Sequence, residues 1–208
     1  MNFALNAIAN NSIPSVAPTQ AASPDTTQTS TANAIAHKIH QRNHPLNQLL
    51  INTARQLGFK DSMALANTDL RGLDLTRAHL NNANLMGADL QGTGLYKAEL
   101  NNAQLDGANL TQADLNGASL QNAQLSNTQL QNAHLLGVDF RNADLTGANL
   151  SHALLIQADL RGADLRNADL TETDLMDANV ENAHFGNNAG MTATLMVDLH
   201  RRGALHTI

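Results

Sequence analysis

"NADLTGANLS", residues 142–151, contains the same five-residue unit twice. Ala143-Asp144-Leu145 is followed five residues later by Ala148-Asn149-Leu150. The unit continues in both directions without an insertion, and its central residue falls at every multiple of five from 70 to 185. Leucine fills 21 of these 24 positions, and alanine fills 18 of the 24 positions two residues earlier. Leucine and alanine therefore recur with a period of five residues over more than half of the chain.

A period of five fits neither a helix nor a flat strand. Five residues advance about 500° on an α-helix, so the leucines would drift around the cylinder. A strand alternates its faces with a period of two, which disagrees with a period of five at every other unit. The period instead predicts a chain that turns a corner once per unit. Four sides then close a coil of twenty residues, and successive coils stack as parallel rungs ~4.8 Å apart.

In such a stack the central residues point inward and lie above one another every twenty residues. We expect four core ladders, of which one is Leu85, Leu105, Leu125, Leu145, Leu165 and Phe185. The small residue of each unit lets the four sides approach closely, and the other three residues face outward.

The unit A-(D/N)-L-x-x, as in Ala83-Asn84-Leu85 and Ala163-Asp164-Leu165, resembles the motif of the pentapeptide-repeat family. The resemblance implies an all-β fold, a right-handed quadrilateral parallel β-helix of about six coils of four pentapeptides, with a short capping α-helix at each end. The segment after the repeat resembles the C-terminal cap of many bacterial, notably cyanobacterial, members.

The composition divides the chain into four parts. Residues 1–43 are rich in Ala, Ser, Thr, Gln and Pro and are predicted to be a disordered low-complexity tail. Residues 44–60 are predicted to form an N-terminal capping helix, and 61–185 the β-helix. Residues 186–208 are predicted to form a C-terminal cap, with Thr192 as helix N-cap, Gly203 as its end, and Leu195, Met196 and Leu199 as its apolar face.

Composition and charge exclude several functions. The chain has no Cys, which excludes disulfides and thiolate chemistry. The 16 acidic and 6 basic side chains of residues 61–185 give the repeat a net charge of −10, which disfavours direct nucleic-acid binding. The sequence has no stretch of 18 apolar residues, so we predict no membrane span. The N-terminus does not have the pattern of a standard secretory signal.

Catalytic and metal chemistry have little support. The histidines of the repeat occupy separate outward positions without a base-and-nucleophile grouping, and the carboxylates are expected on a convex surface rather than in a cleft. His37, His40 and His44 have near-helical spacing but lack an evident fourth ligand for a metal. We therefore predict neither an enzyme nor a cofactor or metal site.

One outward feature is an asparagine column, interrupted by Gly162, which we attribute to turn stabilisation: Asn82, Asn102, Asn122, Asn142 and Asn182. Two other outward features remain as candidate interaction sites. The first is an apolar stripe on one side, which predicts contact with a partner protein or a second copy: Tyr96, Leu136, Leu154, Ile156 and Met176.

The second is an acidic cluster near the end of the repeat. It consists of Asp159, Asp164, Asp169, Glu172, Asp174, Asp177 and Glu181, with Arg161 and Arg166 among them. These carboxylates are either the default residues of the unit or a patch that imitates DNA. The second interpretation rests on resemblance to quinolone-resistance members of the family that occupy the DNA site of gyrase, although this repeat lacks the loops that interrupt theirs.

Three functions follow as hypotheses. The first is a non-enzymatic protein-interaction scaffold or adaptor in a bacterial cytoplasm, with an unknown protein partner or as a homodimer. The second is an acidic DNA-mimic modulator of DNA gyrase or another topoisomerase. The third is a secreted bacterial effector whose residues 1–43 act as a non-classical export signal.

Overall fold

The computed structural model describes residues 65–206 of the 208-residue chain. The predicted tail (1–43) and the predicted N-terminal helix (44–60) lie outside the described residues. Within residues 65–206, no helix is long and apolar enough to cross a membrane.

Each five-residue unit contains one β-turn. The amide of the small residue donates to the carbonyl of the preceding central residue, as from Ala88 to Leu85 over 3.0 Å. The third turn residue has positive φ at all 25 positions from Asn67 to Asn187, with values between 52° and 68°. A β-turn with positive φ only at its third residue has the type II arrangement, which favours glycine or asparagine there. Each unit therefore turns the chain through one corner.

Residues twenty apart pair in parallel bridges, and the bridges form four ladders. Backbone hydrogen bonds reinforce each step, as where the amide of Leu105 donates to the carbonyl of Gln124 over 2.7 Å. The coil thus has four sides, which we number by their outward bridge residues. Side 1 includes Asn84, Gln104, Gln124, Asp144 and Asp164; side 2 includes Asp89, Asn109, Gln129, Asn149 and Asp169; side 3 includes Gly94, Asp114, His134, Leu154 and Asp174; side 4 includes Glu99, Ser119, Asp139, Asp159 and Asn179.

The central residues fill the interior of the coils. The predicted ladder from Leu85 to Leu165 is 0 % exposed, and Phe185, which continues it, is 1 % exposed. Burying one leucine side chain stabilises a fold by about 1.5–3 kcal/mol relative to leaving it in water. The stack of leucines is therefore the main source of stability.

Threonine at the small position has a polar role that the repeat pattern does not reveal. Thr93 and Thr128 are buried, and each hydroxyl donates over 2.9 Å to the carbonyl of a central residue 23 positions earlier, Leu70 and Leu105 respectively. A buried hydroxyl without a partner would cost free energy. Because these hydroxyls are bonded, threonine can replace alanine at this position.

The segment after the repeat contains one helix and pairs with the end of the stack. Strand β1 (His184–Phe185) is followed by helix α1 (Ala193–Arg201) and strand β2 (Leu205–His206). The two strands are parallel, with His184 opposite Leu205 and Phe185 opposite His206. The chain therefore returns to side 1 and adds one rung there.

Helix α1 begins and ends at the predicted residues. The side chain of Thr192 accepts from the amide of Leu195 over 3.1 Å as the N-cap. At the other end, the amide of Gly203 donates to His200 and that of Ala204 to Leu199, and Gly203 has φ of 90°. This pair of bonds around a left-handed glycine is a Schellman motif.

The apolar face of α1 is narrower than the sequence suggests. Leu199 is buried and Leu195 packs against the core, but Met196 is 38 % exposed. Leu195 and Leu199 lie four residues apart and about 40° from each other around the helix, whereas Met196 is about 100° from Leu195 and 60° from Leu199. Of the three residues predicted for the apolar face, Met196 therefore lies at its edge and is exposed.

Candidate interaction surface

The predicted apolar stripe lies on side 3 and on the corner that follows it. Tyr96, Leu136, Ile156 and Met176 are each the second turn residue after side 3, and Leu154 is a bridge residue of that side. Backbone bonds stack these turns, as where the amide of Gly137 donates to the carbonyl of Ile156 over 2.9 Å.

The side chains of the stripe are exposed to different extents. Leu136 is 47 %, Leu154 42 % and Met176 57 % exposed, whereas Ile156 is partly buried between its neighbours. Tyr96 lies two coils before Leu136 and is also exposed, with the Lys97 amino group 5.2 Å from its ring centroid. Leu136, Leu154, Ile156 and Met176 occupy three consecutive coils and form one apolar surface, which we call the side 3 surface.

Asn116 interrupts the column between Tyr96 and Leu136. Its side-chain oxygen accepts from the backbone amide of Leu136 over 2.8 Å. The corners next to Asn116 and Leu136 are Gly117 and Gly137, which carry no side chain. The corner is therefore open at Gly137, whereas the Lys97 side chain lies over Gly117.

The predicted acidic cluster is distributed around the coil. Its residues lie in the last coils of the repeat, but Asp159, Asp164, Asp169 and Asp174 belong to sides 4, 1, 2 and 3 in turn. Glu172, Asp177 and Glu181 occupy turns between sides. Residues five apart in sequence are separated by a corner, so the structure does not bring these seven carboxylates together on one face.

Arginines two residues further along hold several of the carboxylates. Arg161 donates to both oxygens of Asp159, with 2.9 Å from Nε to Oδ1 and 2.7 Å from Nη2 to Oδ2. Arg166 binds Asp164 in the same way. These hydrogen bonds favour the ionised carboxylate and lower the pKa of both Asp159 and Asp164.

Two more such pairs were missed by the sequence reasoning. Arg71 binds Asp69 and Arg141 binds Asp139, each with the same spacing of two residues across a central residue. The signal in the sequence is Asp, central residue, Arg, which places a guanidinium at the second turn position, beside the carboxylate.

Aspartate or asparagine before the central residue also has a local structural role. Its side-chain oxygen accepts from the amide two residues on, as from Thr76 to Asp74 over 3.0 Å and from Thr111 to Asn109 over 3.1 Å. This is an Asx turn. The frequency of Asp and Asn in the repeat is therefore explained by the turns.

The histidines of the repeat pair singly with carboxylates or stand alone. His79 Nδ1 lies 2.8 Å from Glu99 Oε2, and this hydrogen bond lowers the pKa of Glu99. His152 Nδ1 lies 3.1 Å from Glu172 Oε2. In the part of the chain from 65 to 206, no group of three His, Asp or Glu side chains could hold a metal ion. His37, His40 and His44 lie outside that part.

A groove of about 250 Å³ crosses the corner between sides 4 and 1. It is lined by Arg141, Asn142, Arg161, Gly162, Glu181 and Asn182. Arg141 and Arg161 are already bound to Asp139 and Asp159. The residues that line the groove include no Ser, Thr, Cys or Lys, so a base is not grouped with a nucleophile there.

Comparison with known proteins agrees with this geometry. Pentapeptide repeats match in eight copies over residues 64–102, 95–131, 123–162 and 148–187. A search of the curated proteins found no match.

Several solved structures are similar. A trypsin-treated variant of QnrB1, a plasmid-mediated fluoroquinolone resistance protein, is 19 % identical with a TM-score of 0.54, over 69 % of this chain and 85 % of that one. The pentapeptide repeat protein Rfr23 from the cyanobacterium Cyanothece 51142 is 38 % identical over 44 % of this chain and 63 % of that one, with a TM-score of 0.26.

The likeness to QnrB1 concerns the fold alone, since the identity is low. The repeat match covers more than half of the chain and coincides with the four-sided stack. This chain therefore belongs to the pentapeptide-repeat family and folds as a right-handed β-helix.

Proposed function

We propose that this protein is a non-enzymatic protein-interaction scaffold that docks another protein on the side 3 surface. The observation that carries the proposal is a difference in polarity between sides 3 and 4 at the same position of the unit. The second turn residue after side 3 is apolar or aromatic in four of the five coils from Tyr96 to Met176. After side 4 the same position is Asn81, Asn101, Gln121, Arg141, Arg161 and Glu181.

An exposed apolar surface of this kind favours an interface because water is released when it is covered. Leu136, Leu154 and Met176 stabilise the free protein less than buried residues would, since about half of each residue's surface remains in water. The rigid stack of coils, joined by regular backbone hydrogen bonds, would hold these side chains in a fixed arrangement.

The acidic DNA-mimic function has weaker support. Asp159 and Asp164 are neutralised by Arg161 and Arg166, and the remaining carboxylates face several directions. A DNA mimic needs a continuous row of negative charge along one face. A gyrase supercoiling assay with and without the protein tests this alternative, and we expect no effect.

We place the scaffold in the cytoplasm. Export through residues 1–43 is the alternative, and a secretion assay with the full chain and with these residues deleted separates the two.

The scaffold is tested by affinity capture from the native host with the full chain as bait. The variant Leu136→Ser/Ile156→Ser should lose its specific partner, because it removes the middle of the side 3 surface. Met86→Ser is the matched control, since Met86 is an exposed apolar residue at the equivalent turn position after side 1. Equal capture by the native protein and the double variant would contradict the proposal.

A further inference from the structure

The corner that follows side 3 carries opposite charge at its two ends. Its third turn residues are, in order, Arg77, Lys97, Gly117, Gly137, Gln157 and Asp177. All six are exposed. The column therefore begins basic, passes through two glycines and ends acidic.

When a second copy of the column is placed in the opposite direction, the basic end of one copy lies beside the acidic end of the other. We propose that the protein docked on the side 3 surface is a second copy of this chain, bound antiparallel about a twofold axis between the coils of Leu115 and Leu135. The inference rests on the proposed function and names the partner. The axis lies in the interface and is perpendicular to the β-helix axis. It exchanges the first coil with the last and leaves each column of side 3 facing its own counterpart.

The corner column then pairs residues of matching charge and size. Arg77 faces Asp177 of the second copy, and Lys97 faces Gln157 of the second copy. Gly117 faces Gly137 at the centre, where neither residue adds a side chain of its own and the stem of Lys97 lies over Gly117. Each of these pairs occurs twice because the interface is symmetric.

The bridge column of side 3 pairs in the same register. Asp114 faces His134 of the second copy, which places a carboxylate against an imidazole. Gly94, which has no side chain, faces Leu154, the bridge residue that projects an exposed leucine. A protruding side chain thus meets a position that leaves room for it.

The second turn residues complete the contact. Tyr96 faces Ile156 of the second copy, and Asn116 faces Leu136. The outermost bridge pair, Asp74 with Asp174, is of like charge, but it lies at the ends of the interface in the same coils as the Arg77–Asp177 pair. Charge repulsion disfavours a parallel arrangement, because the acidic ends of the two copies, with Asp174 and Asp177, would then lie next to each other.

The size of side 3 sets the strength of the contact. Six rungs at ~4.8 Å extend over about 24 Å from the first to the last. One narrow side of this length offers less than the roughly 800 Å² per partner of a standard interface. We therefore expect a dimer that dissociates on dilution in the micromolar range.

The first test is analytical ultracentrifugation of the full chain over a range of concentrations. Arg77→Asp should raise the dissociation constant about tenfold, because two ion pairs become repulsive. The swap Arg77→Asp/Asp177→Arg should restore dimerisation. Both positions have φ of 57° and already hold one of the two residue types, so the swap is compatible with the fold. The proposal is overturned if Arg77→Asp leaves the dissociation constant unchanged, or if the swap does not restore dimerisation.

A second test reports the register. The native chain has no Cys, so Lys97→Cys and Gln157→Cys introduce unique thiols. The antiparallel dimer predicts disulfide cross-links when the two variants are mixed and little cross-linking of either variant alone. Cross-linking of Lys97→Cys with itself overturns the arrangement.

Failure of this inference is distinguishable from failure of the scaffold proposal. A chain that stays monomeric at every concentration, yet captures another protein only when Leu136 and Ile156 are intact, overturns the dimer and supports docking on side 3. If Leu136→Ser/Ile156→Ser changes neither sedimentation nor capture, both proposals are contradicted.

Discussion

At the scale of single residues, the fold depends on a left-handed backbone at every fifth position. Asparagine fills ten and glycine eight of the 25 turn positions with positive φ. The asparagine column from Asn82 to Asn182 belongs to this set, and Gly162 continues it for the same reason, with φ of 67°. These two residue types enter the left-handed region at low cost, whereas other residues pay about 1–2 kcal/mol.

Gly107 gives the simplest test of this cost. Its φ is 65°, and a Cβ added there would meet nothing within 4 Å, so only the backbone conformation opposes a side chain. We expect Gly107→Val to lower the free energy of unfolding by about 1–2 kcal/mol. Gly107→Asn is the matched control and should remain close to the native value. Urea denaturation measures both, and equal stability of the two variants would contradict the explanation.

At the scale of elements, the C-terminal segment supplies side chains to carbonyls at the end of the stack. The side-chain amide of Asn188 donates to the carbonyls of Leu165 and Ala168. Arg202 Nη1 donates to Leu175 over 3.1 Å and to Ala178 over 3.0 Å, and the same guanidinium binds Asp198 of α1. Arg202 thus joins the helix to the last coil.

Comparing substitutions of Arg202 and Arg201 distinguishes the loss of the hydrogen bonds that join α1 to the coil from the loss of one positive charge. Arg202→Met should lower the free energy of unfolding by about 1–3 kcal/mol, because two carbonyls lose their donor. Hydrogen exchange should accelerate first in α1 and in the coil of Leu175. The neighbouring Arg201 is exposed, so Arg201→Met removes the same charge and should change little. Equal effects of the two substitutions would contradict the role of Arg202.

At the scale of the whole molecule, the outer carboxylates make stability depend on pH. Hydrogen bonds from Arg161, Arg166 and Thr171 lower the pKa of Asp159, Asp164 and Asp169 respectively below the usual value of an aspartate. A carboxyl with a lowered pKa in the folded state contributes stability above its unfolded pKa. That contribution is lost as pH falls through the folded pKa.

We therefore expect the thermal unfolding midpoint to be constant near neutral pH and to fall as the pH drops below about 4. Asp159→Asn/Asp164→Asn should flatten this fall, since the amide keeps the turn hydrogen bond that Asn109 makes but cannot be protonated in this range. The loss at pH 7 should be small, about 0.2–1 kcal/mol for each exposed pair. Calorimetry from pH 3 to 7 checks this, and an unchanged pH profile of the variant would contradict it.

The interior of the molecule could be predicted almost residue by residue, because one rule repeats. Leu125 has the same surroundings as Leu105 and Leu145, so the period alone places all three inside. The side 3 surface was also predictable, since residues twenty apart share a side. The pairing of Asp139 with Arg141 has a sequence signal, Asp and Arg on either side of a central residue, but only the structure shows that the guanidinium bends back onto the carboxylate.

The sequence by itself determined the coil, since a chain with leucine at every fifth position buries all of these leucines when it turns one corner per unit. Only the tertiary structure decided which outward residues are neighbours and how the chain ends. Asp159, Asp164, Asp169 and Asp174 are close in sequence, yet a corner between each pair turns them to four sides. Strand β2 returns to β1 after a helix, and that contact depends on the direction in which α1 leaves the stack rather than on any period.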